Sequence, residues 1–153
     1  MKCLVIYGTL SGSTMTAAEL VGATLRETGH ETDVVSIESA TKDMVASHDC
    51  IVIASPSWED EGKDGQPLPE IRIFLSTLTA ADLAGKKMAI VGLGDTAYPH
   101  FCGAVDVLEA RLKELGVATL ATPSLKIDRY YSLRDNEQKV KDWATALANT
   151  LTS

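Results

Sequence analysis

The fold turns on the stretch Cys3-Leu4-Val5-Ile6-Tyr7-Gly8-Thr9-Leu10-Ser11-Gly12-Ser13-Thr14. Its first five residues are an apolar run of the kind that forms a buried strand. Beyond Thr14, the residues Ala17, Ala18, Val21 and Leu25 recur at three- and four-residue spacing, which predicts a helix. Between strand and helix lies a short loop of glycines and hydroxyls. A helix N-terminus entered in this way presents unpaired N–H groups and the positive end of the helix dipole. Both favour a bound anion, usually a phosphate. The loop offers four hydroxyls, on Thr9, Ser11, Ser13 and Thr14, and no Lys or Arg. A plain Ser/Thr cap needs only one of them.

The missing cation narrows the ligand. A nucleoside-triphosphate loop requires a Gly, four residues, then Gly-Lys-Ser/Thr. Here three residues separate Gly8 from Gly12, and Ser13 stands where the Lys would be. The dinucleotide pattern Gly-x-Gly-x-x-Gly is also absent from this loop. Neutral donors suit one terminal phosphomonoester.

Working outward, strand-like and helix-like segments alternate. Strands are predicted at Thr32–Ile37, Cys50–Ala54, Met88–Leu93 and, interrupted by Pro123, Val117–Ile127. Helices are predicted at Thr41–Ala46, Leu68–Leu78, Gly103–Leu115 and Arg134–Leu151, with a loop over residues 55–67 and a turn over Leu83–Lys87. The last helix carries an inward stripe of Val140, Trp143, Ala144, Leu147 and Leu151. Such alternation implies a parallel sheet covered on both faces, with ligands beyond the carboxyl ends of the strands. The loops 8–14, 55–62 and 93–102 follow the first, third and fourth strands. They converge if those strands are neighbours.

The second loop, Ser55-Pro56-Ser57-Trp58-Glu59-Asp60-Glu61-Gly62, places a Trp among acids, where it can lie flat on a planar ligand. At ~10 Å and an effective dielectric of ~20, each acid repels an added electron by roughly 1.7 kcal/mol, on the order of 70 mV before screening. The third loop, Gly94-Asp95-Thr96-Ala97-Tyr98-Pro99-His100-Phe101-Cys102, supplies a second stacking aromatic in Tyr98 and a polar group in Asp95 for a heterocycle edge. Pro99 and the late start of the next helix exclude a dinucleotide fingerprint there. His100 has no second ligand at metal spacing and reads as a surface residue. The predicted ligand is a planar ring on a chain ending in one phosphate. Flavin mononucleotide (FMN) meets this description better than a dinucleotide does.

The 153 residues fit one domain, here taken as the whole chain. Apolar and charged contents of 45% and 23% are ordinary for a soluble globular protein. A net charge of −7 argues against nucleic-acid binding and for docking on basic partners. Cys3, Cys50 and Cys102 have no metal or redox spacing and read as buried apolar residues in a reducing compartment. The chain enters a strand at once without a signal peptide, and no apolar run has membrane-spanning length. The expectation is a cytoplasmic monomer without membrane or nucleic-acid partners.

The chain resembles a flavodoxin of the short-chain kind from Met1 to its final helix. The resemblance rests on the hydroxyl-rich loop Thr9–Thr14, on Ser57-Trp58, and on Gly94-Asp95-Thr96-Ala97-Tyr98 followed by Phe101-Cys102-Gly103-Ala104-Val105-Asp106. It implies a three-layer α/β/α sandwich around a five-stranded parallel sheet of order 2-1-3-4-5, an order for which flavodoxin is the standard example. It implies that Thr9, Leu10, Ser11, Gly12, Ser13 and Thr14 wrap the FMN phosphate. Ser57 and Trp58 then meet the ribityl chain and inner ring face, and Tyr98 the outer face. The backbone of Leu93, Gly94, Asp95 and Cys102 meets the pyrimidine edge, with Phe101 adjacent. Pro56 removes a hydroxyl that some relatives aim at the phosphate, and Ser55 is the candidate replacement. The carbonyl of Trp58 or Glu59 faces flavin N5. Many relatives carry Gly at position 59, where the peptide flips on reduction, and a non-Gly residue resists positive φ.

The function so implied is low-potential one-electron transfer on non-covalent FMN, between semiquinone and hydroquinone, without substrate turnover. Its partners would be a basic-faced reductase and acceptor oxidoreductases met transiently. The alternative is an FMN-dependent NAD(P)H quinone or nitro reductase of the same fold. That enzyme needs open space over the ring, where Trp58 and Tyr98 are expected. A ribonucleotide-reductase maturation flavoprotein matches the loops less well. A response regulator needs a phosphorylatable Asp where Ser55-Pro56 stands.

Overall fold

The computed structural model describes the chain except at Ser11, Glu61, residues 97–99, residues 129–132 and Ser153. In chain order the elements are β1 (Lys2–Tyr7), α1 (Ser13–Glu27), β2 (Glu31–Ser36), α2 (Lys42–Ala46), β3 (Cys50–Pro56), β4 (Trp58–Asp60) and β5 (Lys63–Gln66). They continue with α3 (Pro69–Ser76), α4 (Ala80–Leu83), β6 (Lys87–Gly94), α5 (Gly103–Glu114), β7 (Leu125–Asp128) and α6 (Leu133–Thr152). Five strands form one sheet in the order β2-β1-β3-β6-β7, with parallel pairing throughout. Counting only these five, the order is the expected 2-1-3-4-5.

Side-chain alternation sends Cys3 and Val5 of β1 to one face and Leu4 and Ile6 to the other. The first face packs against Ala17, Val21 and Leu25 of α1 and Val140, Ala144 and Leu147 of α6. The second packs against Ile71 and Leu75 of α3, Val105, Leu108 and Leu112 of α5, and Val45 of α2. The result is the three-layer sandwich. β3 lies second from neither edge but at the centre, and all seven of its residues are buried, as a strand covered on both faces requires.

Two local expectations are corrected, and one short helix is added where no element was predicted. Residues 55–67 are not all loop, because β3 runs on to Pro56 and β4 and β5 pair as an antiparallel hairpin. Trp58 pairs with Gln66 and Asp60 with Lys63, so Asp64 and Gly65 together oppose Glu59. That is a β-bulge, and its glycine takes φ +72°. Residues 80–83 form the short helix α4, closed by a capping box in which Thr79 and Asp82 bond each other's backbone N–H. The fifth strand of the sheet begins only at Leu125. Upstream of it Ala121 N–H reaches the Met88 carbonyl at 2.8 Å, but Pro123 has no N–H to continue a ladder.

Candidate cofactor site

β1, β3 and β6 lie side by side, with Tyr7 opposite Ala54 and Pro56 opposite Leu93. The segments that leave these strands therefore share one edge of the sheet. The chain reverses its direction of winding between β1 and β3, where α/β sheets receive ligands. Gly8 N–H donates to the Ala54 carbonyl at 3.1 Å and ties the first loop to β3.

In that loop Gly12 is the N-cap of α1, at φ 93°, with no side-chain cap on the helix. Its N–H donates to Thr9 Oγ1 at 2.8 Å. The Thr9 oxygen closes the turn as an acceptor, which leaves its hydroxyl proton to donate elsewhere. A Cβ built on Gly12 would meet nothing within 4 Å, so the space over the helix start is open. Ser13 is half-buried and Thr14 buried, while Leu10 is exposed; Ser11 lies outside the described residues. The arrangement can hold a small anion with neutral donors.

At the end of β3, Ser55 departs from expectation. It is fully buried, and its hydroxyl accepts Leu68 N–H at 3.2 Å and donates to the Pro56 carbonyl at 2.8 Å. That hydroxyl anchors the start of α3 and is not free for a ligand. Pro56 is buried in the sheet. Ser57 N–H donates to the Leu93 carbonyl at 2.7 Å. Ser57 Oγ accepts Ala104 N–H at 3.1 Å and so serves the first turn of α5. Trp58 is 44% exposed, an unusual position for a large aromatic, and Glu59 beside it is exposed.

At the end of β6, the Leu93 side chain is in the core and its carbonyl is taken by Ser57. Gly94 is buried and Asp95 half-buried. Tyr98 lies outside the described residues. The Phe101 side chain packs on the second core cluster, which leaves its backbone for any contact at the edge. Cys102 takes φ 50° and is the one non-glycine residue at positive φ among the described residues. Its Sγ lies 3.6 Å from both the Gly92 and Ile127 carbonyls. Burial pushes its thiol up to about 11. His100 is on the surface, its side chain 68% exposed.

Two pairings near the site were not read from sequence. Asp128, at the end of β7, accepts Thr96 Oγ1 at 2.8 Å and Thr96 N–H at 3.4 Å. Asp64, in the β5 bulge, accepts His100 N–H at 3.3 Å. Neither pairing has a local sequence signal, since 32 and 36 residues separate the partners. The hairpin did have one: a glycine, Gly62, in a two-residue gap between strands. Among the described residues no group of three or more acids, cysteines and histidines has metal-binding geometry, and no helix is long and apolar enough to cross a membrane.

Comparison with known proteins gives one answer at three levels. The flavodoxin family model matches residues 5–143. A probable flavodoxin 2 of Bacillus subtilis is 33% identical over 91% of this chain and 89% of its own length. The flavodoxin of Maridesulfovibrio salexigens is 30% identical over 98% of this chain and 99% of its own. Among solved structures, oxidised flavodoxin 2 of Bacillus cereus superposes with a TM-score of 0.80 at 32% identity, covering 97% of this chain and 99% of that one.

Proposed function

This chain belongs to the flavodoxin family, whose members carry electrons on bound FMN, and from that premise we propose that it is a low-potential one-electron carrier cycling FMN between semiquinone and hydroquinone. The observation that carries the reading is the start of α1. An uncapped helix N-terminus, a left-handed Gly12 under open space and hydroxyls on both sides stand at the reversal point of the sheet. That donor set is neutral and suits a phosphomonoester. Trp58, nearly half exposed at the same edge, offers an apolar plane for a ring. The residues fit FMN.

In this reading Thr9, Leu10, Ser11, Gly12, Ser13 and Thr14 hold the phosphate. Trp58 covers the inner ring face and Tyr98 the outer one, with Ser57 near the ribityl chain. The backbone of Gly94, Asp95 and Cys102 meets the pyrimidine edge, and the carbonyl of Trp58 or Glu59 meets N5. The bound group supplies the one-electron chemistry. The protein supplies stacking and acids, which oppose added negative charge and lower the potential. The transient partners are a basic-faced reductase and an acceptor oxidoreductase, and the carrier works as a cytoplasmic monomer.

Stepwise reduction of the purified protein under a visible spectrometer tests this reading. A yellow protein that passes through a blue intermediate supports it. A colourless protein that refuses added FMN overturns it. Reduced nicotinamide alone should not bleach the protein; rapid bleaching would favour the quinone or nitro reductase instead.

A further inference from the structure

Two carboxylates from separate elements hold Thr96, shortly after β6, and His100, shortly before α5. Asp128 of β7 takes both the hydroxyl and the N–H of Thr96, at 2.8 and 3.4 Å. Asp64 of β5 takes His100 N–H at 3.3 Å, and the same oxygen stands 3.4 Å from His100 Nδ1. Beside it the β5 bulge sits directly on the chain. A Cβ on Gly65 would lie 2.7 Å from His100 Cβ and 3.2 Å from Gly103 Cα. The edge strand of the main sheet thus holds Thr96, and the bulge of the small hairpin holds His100.

We propose that Asp64 and Asp128 are positioning residues that hold His100 and Thr96 in place as a bracket and thereby set how firmly the protein retains FMN. The inference rests on the FMN reading above. Its physical basis is preorganisation: a segment ordered before the ligand arrives loses less entropy on binding. The hairpin's bulge acquires a purpose in this account, because it turns Asp64 and Gly65 toward His100 and Gly103. The bracket also lies at the surface. Asp64 and His100 side chains are 31% and 68% exposed and border a shallow cleft of about 780 Å³, so replacing them leaves the core intact.

The sign of the effect separates positioning from charge. FMN carries an anionic phosphate, so deleting a nearby carboxylate should tighten binding if only charge mattered. If the carboxylate positions the segment, deletion loosens binding. The experiment measures FMN release from the purified holoprotein as recovery of free-flavin fluorescence. Asp64→Ala and Asp128→Ala are each expected to release FMN about 3–10-fold faster, the loss typical of a hydrogen bond or two. Asp64→Asn and Asp128→Asn keep an acceptor oxygen and should restore much of the retention. Asp106→Ala, an exposed acid on α5 outside the bracket, controls for charge. Release unchanged or slowed in both Ala variants overturns the proposal.

Amide hydrogen exchange across residues 95–102 gives a second readout that does not depend on FMN. Faster exchange there in the Ala variants, with protection of β1 and β3 unchanged, supports the bracket. Exchange identical to the parent protein overturns it. A parent protein that holds no FMN sinks the functional reading instead, and the exchange experiment still decides the bracket.

Discussion

Gly94 and Cys102 are in backbone contact: a Cβ on Gly94 would lie 2.5 Å from the Cys102 nitrogen and 2.8 Å from its sulfur. No side-chain rotation relieves such an approach. Cys102 cannot withdraw easily, because its left-handed φ of 50° is held by a thiol lodged between the Gly92 and Ile127 carbonyls. Gly94→Ala should therefore push the start of α5 away from the end of β6. The expected loss is about 1–3 kcal/mol of stability, as for other overpacked sites, together with weaker FMN binding. Urea unfolding and flavin fluorescence check the two effects, and a variant with parental stability would show that the contact gives way freely.

Ser57 connects β3 to α5. The N-cap of α5, Cys102, makes no side-chain cap bond, and the Ala104 N–H of the first turn is served from another element by Ser57 Oγ at 3.1 Å. Ser57→Ala removes a capping oxygen, at a cost of about 1 kcal/mol. Ser57→Thr keeps the oxygen and should lose less. Urea midpoints that rank Ser above Thr above Ala are expected, with the denaturant slope unchanged. Equal midpoints for Ser and Ala would remove the capping role.

The parallel sheet was legible because the signal is carried by burial, whereas its strand order came from the flavodoxin resemblance. The apolar runs of β1, β3 and β6 are covered on both faces, and their apolar residues are unbroken. The glycine-and-hydroxyl loop before α1 was legible for a different reason, since its chemistry has few structural uses. What escaped was held by long-range or very local bonds. The hairpin β4–β5 carries a single large apolar residue, Trp58, so hydrophobic periodicity cannot report it. α4 is four residues closed by Thr79 and Asp82, and its only sequence mark is that Thr-x-x-Asp pair. Val117 and Leu120 are apolar because they cover the second core cluster, not because they lie in a strand. Ser55 misled for the same kind of reason: a hydroxyl at the right place in sequence had already been taken by the Leu68 N–H.

The cysteines, read from sequence as unrelated, include a registered pair: Cys3 of β1 lies opposite Cys50 of β3. Hydrogen bonding between the two thiols holds Cys3 below its ordinary value and, with burial, raises Cys50. All three cysteines have no exposed surface. Native protein should consume no maleimide at pH 8, and unfolded protein three equivalents. The Cys102 thiol gives a pH prediction. Its value rises from 9.0 to about 11 through burial, so above pH 9 the unfolded state loses this proton first. Stability that is full below pH 9 should then fall as pH rises to about 11. Cys102→Ala removes that part of the decline. Unfolding curves from pH 8 to 11 in both proteins provide the test, and parallel declines would refute it.

Glu59 sets the last expectation. It faces the bulge of β5, with Trp58 and Asp60 on either side paired to Gln66 and Lys63. Its φ is not positive, since Cys102 alone among described non-glycine residues has that conformation. A peptide flip at this position that required positive φ would meet the side-chain penalty of about 1–2 kcal/mol, which for one electron is about 40–90 mV. Glu59→Gly removes this penalty and should raise the potential for uptake of the first electron by an amount of that order. Removing the carboxylate also raises the potential, through charge alone. Glu59→Gln isolates the charge effect, because glutamine keeps the Cβ that opposes the flip. Redox titration of the three proteins at one pH and salt concentration should therefore rank Gly above Gln above Glu. A Gly variant that only equals the Gln variant would mean that the backbone at residue 59 does not limit the first electron.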